Sequence, residues 1–305
     1  MRYLFSSSAV LVAITFIVSL PALAQTDFRS RMRDRLQQRK DFPTLNVERA
    51  DIAGLDVAIW RPEHDNSPAP LVVFSHGFHG INTQSAYLMK AMADAGYFVV
   101  APNHADASKT GLLGSGLSQP ELSFAKPREW SDTTYKKRGE DICNLIDALQ
   151  KDPKWSKQID FTKMALAGHS LGGYTILGIA GARPSWQHPD IKAVLALSPY
   201  CEPYIFQDTL KHIKVPVMYQ GGTLDFGITP SVRRGGGAYD KTSAPAYFVE
   251  FDKFGHLGWT GFERDSNKRS LVDFYSIAFL DKYVKGRDSA DCTEKRSGIV
   301  ELESK

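Results

Sequence analysis

"ALAGHSLGG", residues 165–173, decides how the rest of the chain is read. It closes an apolar run, sets Ser170 between Gly168 and Gly172, and continues into a segment of helical character. Gly168-His169-Ser170-Leu171-Gly172 matches G-x-S-x-G between an expected strand and an expected helix, where a sharp, strained turn presents the serine hydroxyl above a sheet. Side chains at 168 or 172 would crowd such a turn, and Gly173 adds room for the helix. The serine can be a nucleophile or only a small residue in a tight turn. A working nucleophile needs a base, an acid and an oxyanion hole, and each can be sought in the remaining sequence.

The surroundings set the frame. "LNVERADI" and "LDVAIWRP" alternate as a leading antiparallel pair. "PLVVFSH", "YFVVAPNH", "KMALAGHS", "IKAVLALSP", "VPVMYQGG" and "PAYFVEFD" read as buried strands. Helical patterns fall in "SAYLMKAMADAGY", "YKKRGEDICNLIDALQKD" (with Ile142, Leu145, Ile146 and Leu149 on one face), "LGGYTILGIAGA" and "LVDFYSIAFLDKYV". Apolar strands separated by helices indicate an α/β fold, a mostly parallel central sheet with helices on both faces, whose ligands bind at the carboxyl ends of the strands. Residues 105–133 form a connection of unusual length, expected to be a functional rim loop.

Composition is that of a globular protein, with 43% hydrophobic and 23% charged residues among 305. A formal net charge of +3 is too weak to argue for nucleic acid or an anionic membrane. Arg2, the apolar run Ala9–Leu20 and the pattern Ala22-Leu23-Ala24 read as a signal peptide over 1–24, so the mature chain starts at Gln25 in the periplasm or the medium. No second long apolar run follows, so no membrane span is expected after cleavage. A basic leader (25–43), one catalytic domain (44–290) and a C-terminal tail (291–305) complete the division. Three cysteines allow at most one disulfide, with Cys201–Cys292 open as a pairing.

Of the eight histidines, only His188, His212 and His256 follow Ser170. The first two precede strands and belong at the wrong end of the sheet, whereas His256 in "FDKFGHLGW" follows the last expected strand. It is the candidate base. Asp225, in "VPVMYQGGTLDFGITP", is the candidate acid, placed to hold the imidazole in its useful tautomer. Glu202 and Asp252 are its rivals. The oxyanion donors are expected to be the N–H of Leu171, at a helix N-terminus, and that of Phe78 in "FSHGFHG". His76 and His79 lack carboxylate or cysteine partners at metal-site spacing, so no metal is expected.

The HGF loop (76–78), the GHSLGG elbow (168–173), Asp225 and His256 together resemble the α/β-hydrolase superfamily over roughly residues 45–285. Within it the chain resembles the dienelactone-hydrolase-like and platelet-activating-factor-acetylhydrolase-like group, with bacterial cutinase-type polyester hydrolases as cousins. It departs from true dienelactone hydrolases in carrying serine rather than cysteine at 170. It departs from the acetylhydrolases in having Ser198-Pro199 where they place the acid. The resemblance implies a serine esterase that needs no cofactor, acting on a small-molecule, lipid or polyester ester. It also implies substrate contacts at Tyr200, Phe78 and Leu171. Tyr200, Phe226 and Trp259, with the 105–133 loop, are the expected determinants of substrate choice. The same triad would serve an amidase, a peptidase or an acyltransferase, and a non-catalytic binding protein could keep the fold.

Overall fold

The computed structural model describes residues 47–63, 68–107, 119–287 and 291–305. The expected signal peptide and basic leader lie outside these residues, as does the middle of the 105–133 loop.

Among the described residues nine strands form one sheet: β1 (Glu48–Ile52), β2 (Leu55–Trp60), β3 (Ala69–Ser75), β4 (Phe98–Pro102), β5 (Ile159–His169), β6 (Ile191–Leu197), β7 (Val217–Gly222), β8 (Ala246–Phe251) and β9 (Ile299–Ser304). Their order is β1-β2-β4-β3-β5-β6-β7-β8-β9. β4 through β8 pair in parallel, while β1, β2 and β9 run antiparallel to their neighbours. The fold is that of the α/β hydrolases. Four helices matter below: α1 (Ala86–Asp94), α2 (Lys136–Lys151), α3 (Leu171–Leu177) and α4 (Ser266–Val284).

Successive strand residues point to opposite faces, and here both faces are apolar. Leu71 and Val73 enter the core layer shared with α2 and α3, whereas Val72 and Phe74 enter the layer shared with α1 and α4. The α2 face expected from periodicity, Ile142, Leu145, Ile146 and Leu149, is buried. Crossovers from β3 to β4 and from β4 to β5 leave on opposite sides of β3, so the switch point lies between β3 and β5. The crevice outside their carboxyl ends is where such sheets bind ligands.

Three differences from the sequence reading have physical reasons. The 171–182 helix is shorter than expected: α3 ends at Leu177 and a wider π turn, Gly178–Ala182, carries Gly181 at φ +129°. The pairing left open between Cys201 and Cys292 is absent, since all three cysteines are free and these two lie in opposite core layers. The segment read as a tail closes the sheet, because β9 pairs with β8 from Tyr247–Ser304 to Phe251–Ile299. Its alternation is weak in sequence because a bulge between Ile299 and Glu301 sets Ile299 and Leu302, three residues apart, on the core face, with Glu301 and Glu303 on the other. No described helix is long and apolar enough to cross a membrane.

β9 covers an otherwise open edge and buries Ile299. A chain ending at Ser297 is therefore expected to lose about 2–4 kcal/mol of stability, from lost apolar burial and lost ladder bonds. Urea unfolding followed by circular dichroism measures this, and an unchanged midpoint would contradict it.

Candidate active site

Ser170 leaves β5 at φ +55°, ψ −117°, a conformation that non-glycine residues rarely adopt. The strain is held by Ser170 N–H on Leu197 O (3.1 Å) and Tyr200 N–H on Ser170 O (2.9 Å). α3 approaches the end of β3 so closely that a Cβ at Gly172 would stand 1.9 Å from Ser75 O, and one at Gly168 would stand 2.5 Å from Gly172 O. Only glycine fits either place. Ser170 is half-buried, with its hydroxyl 2.9 Å from Nε2 of His256.

His256 follows β8, and its Nδ1 faces two groups. The Ser198 hydroxyl stands 2.8 Å away and the nearer Asp225 oxygen 3.4 Å away. Ser198 Oγ in turn donates to Asp225 Oδ2 at 2.5 Å, and Thr229 Oγ1 donates to the same oxygen at 3.2 Å. Burial pushes the Asp225 carboxyl upward, but the His256 ring and the Ser198 hydroxyl outweigh it, and the group sits below its ordinary value. The rival carboxylates are turned elsewhere: Glu202 pairs with Arg234 (3.2 Å) and Asp252 lies 3.5 Å from the Lys253 ammonium.

The loop after β3 lies against the elbow, since a Cβ at Gly77 would stand 3.3 Å from Ser170 Cβ. Leu171 is the first residue of α3, so its N–H is one that a helix leaves without an internal acceptor. Its side chain is wholly buried. A hydrogen-bonded strut joins the three loops. Gly77 N–H donates to Gln84 Oε1 (3.2 Å), Gln84 Nε2 donates to His169 Nδ1 (3.0 Å), and His169 Nε2 donates to His256 O (2.7 Å). A carbonyl only accepts, which fixes the His169 tautomer. Burial, with the neighbouring His256 ring, lowers the His169 pKa to about 3 and keeps the ring neutral.

Behind the loop lies a second Ser–His–Asp chain, wholly inside. Ser75 Oγ meets His104 Nε2 at 2.9 Å, and His104 Nδ1 meets Asp141 Oδ2 at 3.0 Å. His76 Nε2 accepts from His104 N–H (3.1 Å), its Nδ1 donates to Gly77 O (2.7 Å), and Arg138 donates to His76 O. With Ser75 and His104 buried and Asp141 also held by Lys137 (3.2 Å), this chain ties β3, β4 and α2 together beneath the loop.

The aromatic residues divide. Phe78 stands against Phe124 and Tyr135, with ring centroids 5.4 and 6.3 Å away. Tyr200 donates its hydroxyl to Phe124 O at 2.8 Å, so residues from the described end of the rim loop wall one side of the site. Tyr200 itself is buried, Phe226 is 71% exposed, and Leu224 and Leu257, beside Asp225 and His256 in sequence, are 51% and 42% exposed. Trp259 corrects the reading of it as a substrate contact. It is fully buried, packs on Phe251 and Phe254, and donates Nε1 to Gln220 at 2.8 Å. An aromatic just after the candidate base looks the same in sequence whether it faces the crevice or the core. Ser198, Gln84 and His169 were not singled out in sequence for these contacts, since a hydroxyl, an amide and a strand-end histidine carry no spacing signal.

Comparison with known proteins agrees with this fold. The family model described as serine aminopeptidase, S33, matches residues 66–221, half of the chain, from before β3 through the elbow to β7. The chain belongs to this family of α/β hydrolases. The hydrolase is also 24% identical to a cutinase of Thermobifida fusca over 93% of this chain and 80% of the relative. It is 25% identical to a cutinase of Thermobifida alba (82% and 73%) and 24% identical to a cutinase of Thermobifida cellulosilytica (82% and 84%).

His76, His104 and His169 are all held well below the ordinary histidine value by burial, the first two also by the Arg138 charge. In the unfolded chain each takes up a proton below about pH 6.5, whereas the folded protein leaves them neutral. Stability is therefore full above that pH and falls as pH drops, by at most about 1.4 kcal/mol per unit for each ring. Asp273, pushed up to about 7 by burial, opposes this with one proton. The expected net result is a urea midpoint that falls between pH 7.5 and 5.5; a flat or rising midpoint would contradict it.

Proposed function

We propose that this hydrolase cleaves carboxylic esters through an acyl-enzyme on Ser170. The observation that carries the reading is the 2.9 Å contact between a strained, accessible Ser170 hydroxyl and His256 Nε2, with the buried Asp225 carboxylate behind the ring. Ser170 Oγ attacks the ester carbonyl while His256 Nε2 takes its proton. The N–H groups of Phe78 and Leu171 hold the developing oxyanion, aided by the positive end of α3. His256 returns the proton to the leaving alcohol, and water repeats the sequence to free the acid. Asp225 stabilises the ring while it is charged.

An uncharged, apolar ester is the substrate class the surroundings favour. Phe78 and Phe124 offer an aromatic wall backed by the buried Tyr200, and exposed Leu224, Phe226 and Leu257 rim the acid and base loops. The cutinase relatives support the same choice. Export after cleavage at Ala24, with residues 44–290 and the closing strand β9 as the catalytic domain, belongs to this reading. The description of the family favours a second one, peptide hydrolysis by the same triad.

Turnover of a p-nitrophenyl ester and of the anilide of the same acyl group separates the two. The ester is expected to react far faster, with S170A lowering kcat by about 10⁴-fold or more and D225N by about 10²- to 10⁴-fold. Faster anilide turnover would favour the peptidase, and equal ester turnover by S170A would refute both.

A further inference from the structure

We infer that Ser198 is a positioning residue of the catalytic relay, a hydroxyl set between the acid and the base so that Asp225 acts on His256 largely through it. The inference rests on the esterase reading of the same site. The acceptor nearest to Nδ1 of His256 is not the carboxylate. Ser198 Oγ lies at 2.8 Å and Asp225 Oδ1 at 3.4 Å, beyond the usual range for N–H···O bonds. A hydroxyl accepts and donates at once, and this one does both. It receives Nδ1–H from the ring and passes its own proton to Asp225 Oδ2 at 2.5 Å.

Ser198 follows β6, the strand between the one that carries Ser170 and the one that carries Asp225. The backbone turns there at φ +42°, a conformation that a side-chain-bearing residue rarely adopts. Ser198 N–H donates to Gln220 O at 2.8 Å, which pins the turn to β7. The residue is fully buried, so no water replaces its partners, and Asp225 and His256 use its donor and one acceptor site. The result is a chain from carboxylate to hydroxyl to Nδ1–H, and from Nε2 to Ser170 Oγ. When the ring takes the Ser170 proton, the hydroxyl is already oriented by the carboxylate toward the new charge.

The test compares S198A, S198C and S198T with wild type on p-nitrophenyl acetate, with S170A alongside. Cysteine keeps the size and removes the strong hydrogen bond; threonine keeps the hydroxyl. S198A and S198C are expected to lower kcat about 10- to 100-fold, the loss typical of a hydrogen bond to a charged partner, with KM within about threefold. The acid limb of the kcat/KM profile is expected to move to lower pH, because the protonated ring loses its nearest acceptor. S198T is expected to recover most of kcat. If S198A fails to fold, S198C carries the test. An inactive S170A with kcat and the acid limb unchanged in S198A or S198C would overturn the role of Ser198 alone, as would a threonine variant no better than alanine. An active S170A would overturn the esterase reading beneath it.

Discussion

Ser75 pairs with Gly168, His169 with Leu197, Leu197 with Gln220, and Gly222 with Phe251, so five neighbouring parallel strands end in one row. The site depends on that register. Each exit delivers one part: the loop of Phe78 after β3, Ser170 after β5, Ser198 after β6, Asp225 after β7 and His256 after β8. A one-residue slip in any pair would turn its exit to the other face of the sheet. The two apolar core layers make such a slip costly, since Leu71 and Val73 belong to one layer and Val72 and Phe74 to the other. Packing that looks remote from the chemistry is what fixes its geometry.

Two Ser–His–Asp chains in one molecule show how little the residue types alone decide. Ser75, His104 and Asp141 connect much as Ser170, His256 and Asp225 do, yet the first set is sealed inside and the second opens on the crevice. Burial keeps His104 neutral and spends its hydrogen bonds on structure. The two chains are nonetheless joined in purpose. The buried one supports the loop that carries Phe78, and the strut through Gln84 and His169 ties that loop to the backbone of His256. In the buried chain and the strut, the rings of His104 and His169 each have partners at both nitrogens, which limits the cost of burying them.

The sheet was legible in sequence because buried parallel strands are continuous apolar runs bounded by turn residues, as in "PLVVFSH" and "IKAVLALSP". That Ser170, Asp225 and His256 meet was legible for a related reason: each follows such a run, and parallel strands end on one side. β9 was not legible, because its pattern is half charged and its partner lies far upstream. Nor were Ser198, Gln84 and His169 legible as partners, since their contacts arise from register between distant strands. Trp259 was misplaced because the chain direction in the loop after His256, and not the residue type, sends its ring into the core.

The central claim is that Ser170 is the nucleophile of a relay assembled at these strand ends. Fluorophosphonate labelling of the purified protein, with the adduct located by peptide mass spectrometry, tests it most directly. The account predicts one adduct per chain, on Ser170, forming more slowly in D225N and absent in S170A. Labelling on another residue, or undiminished labelling of S170A, would contradict it.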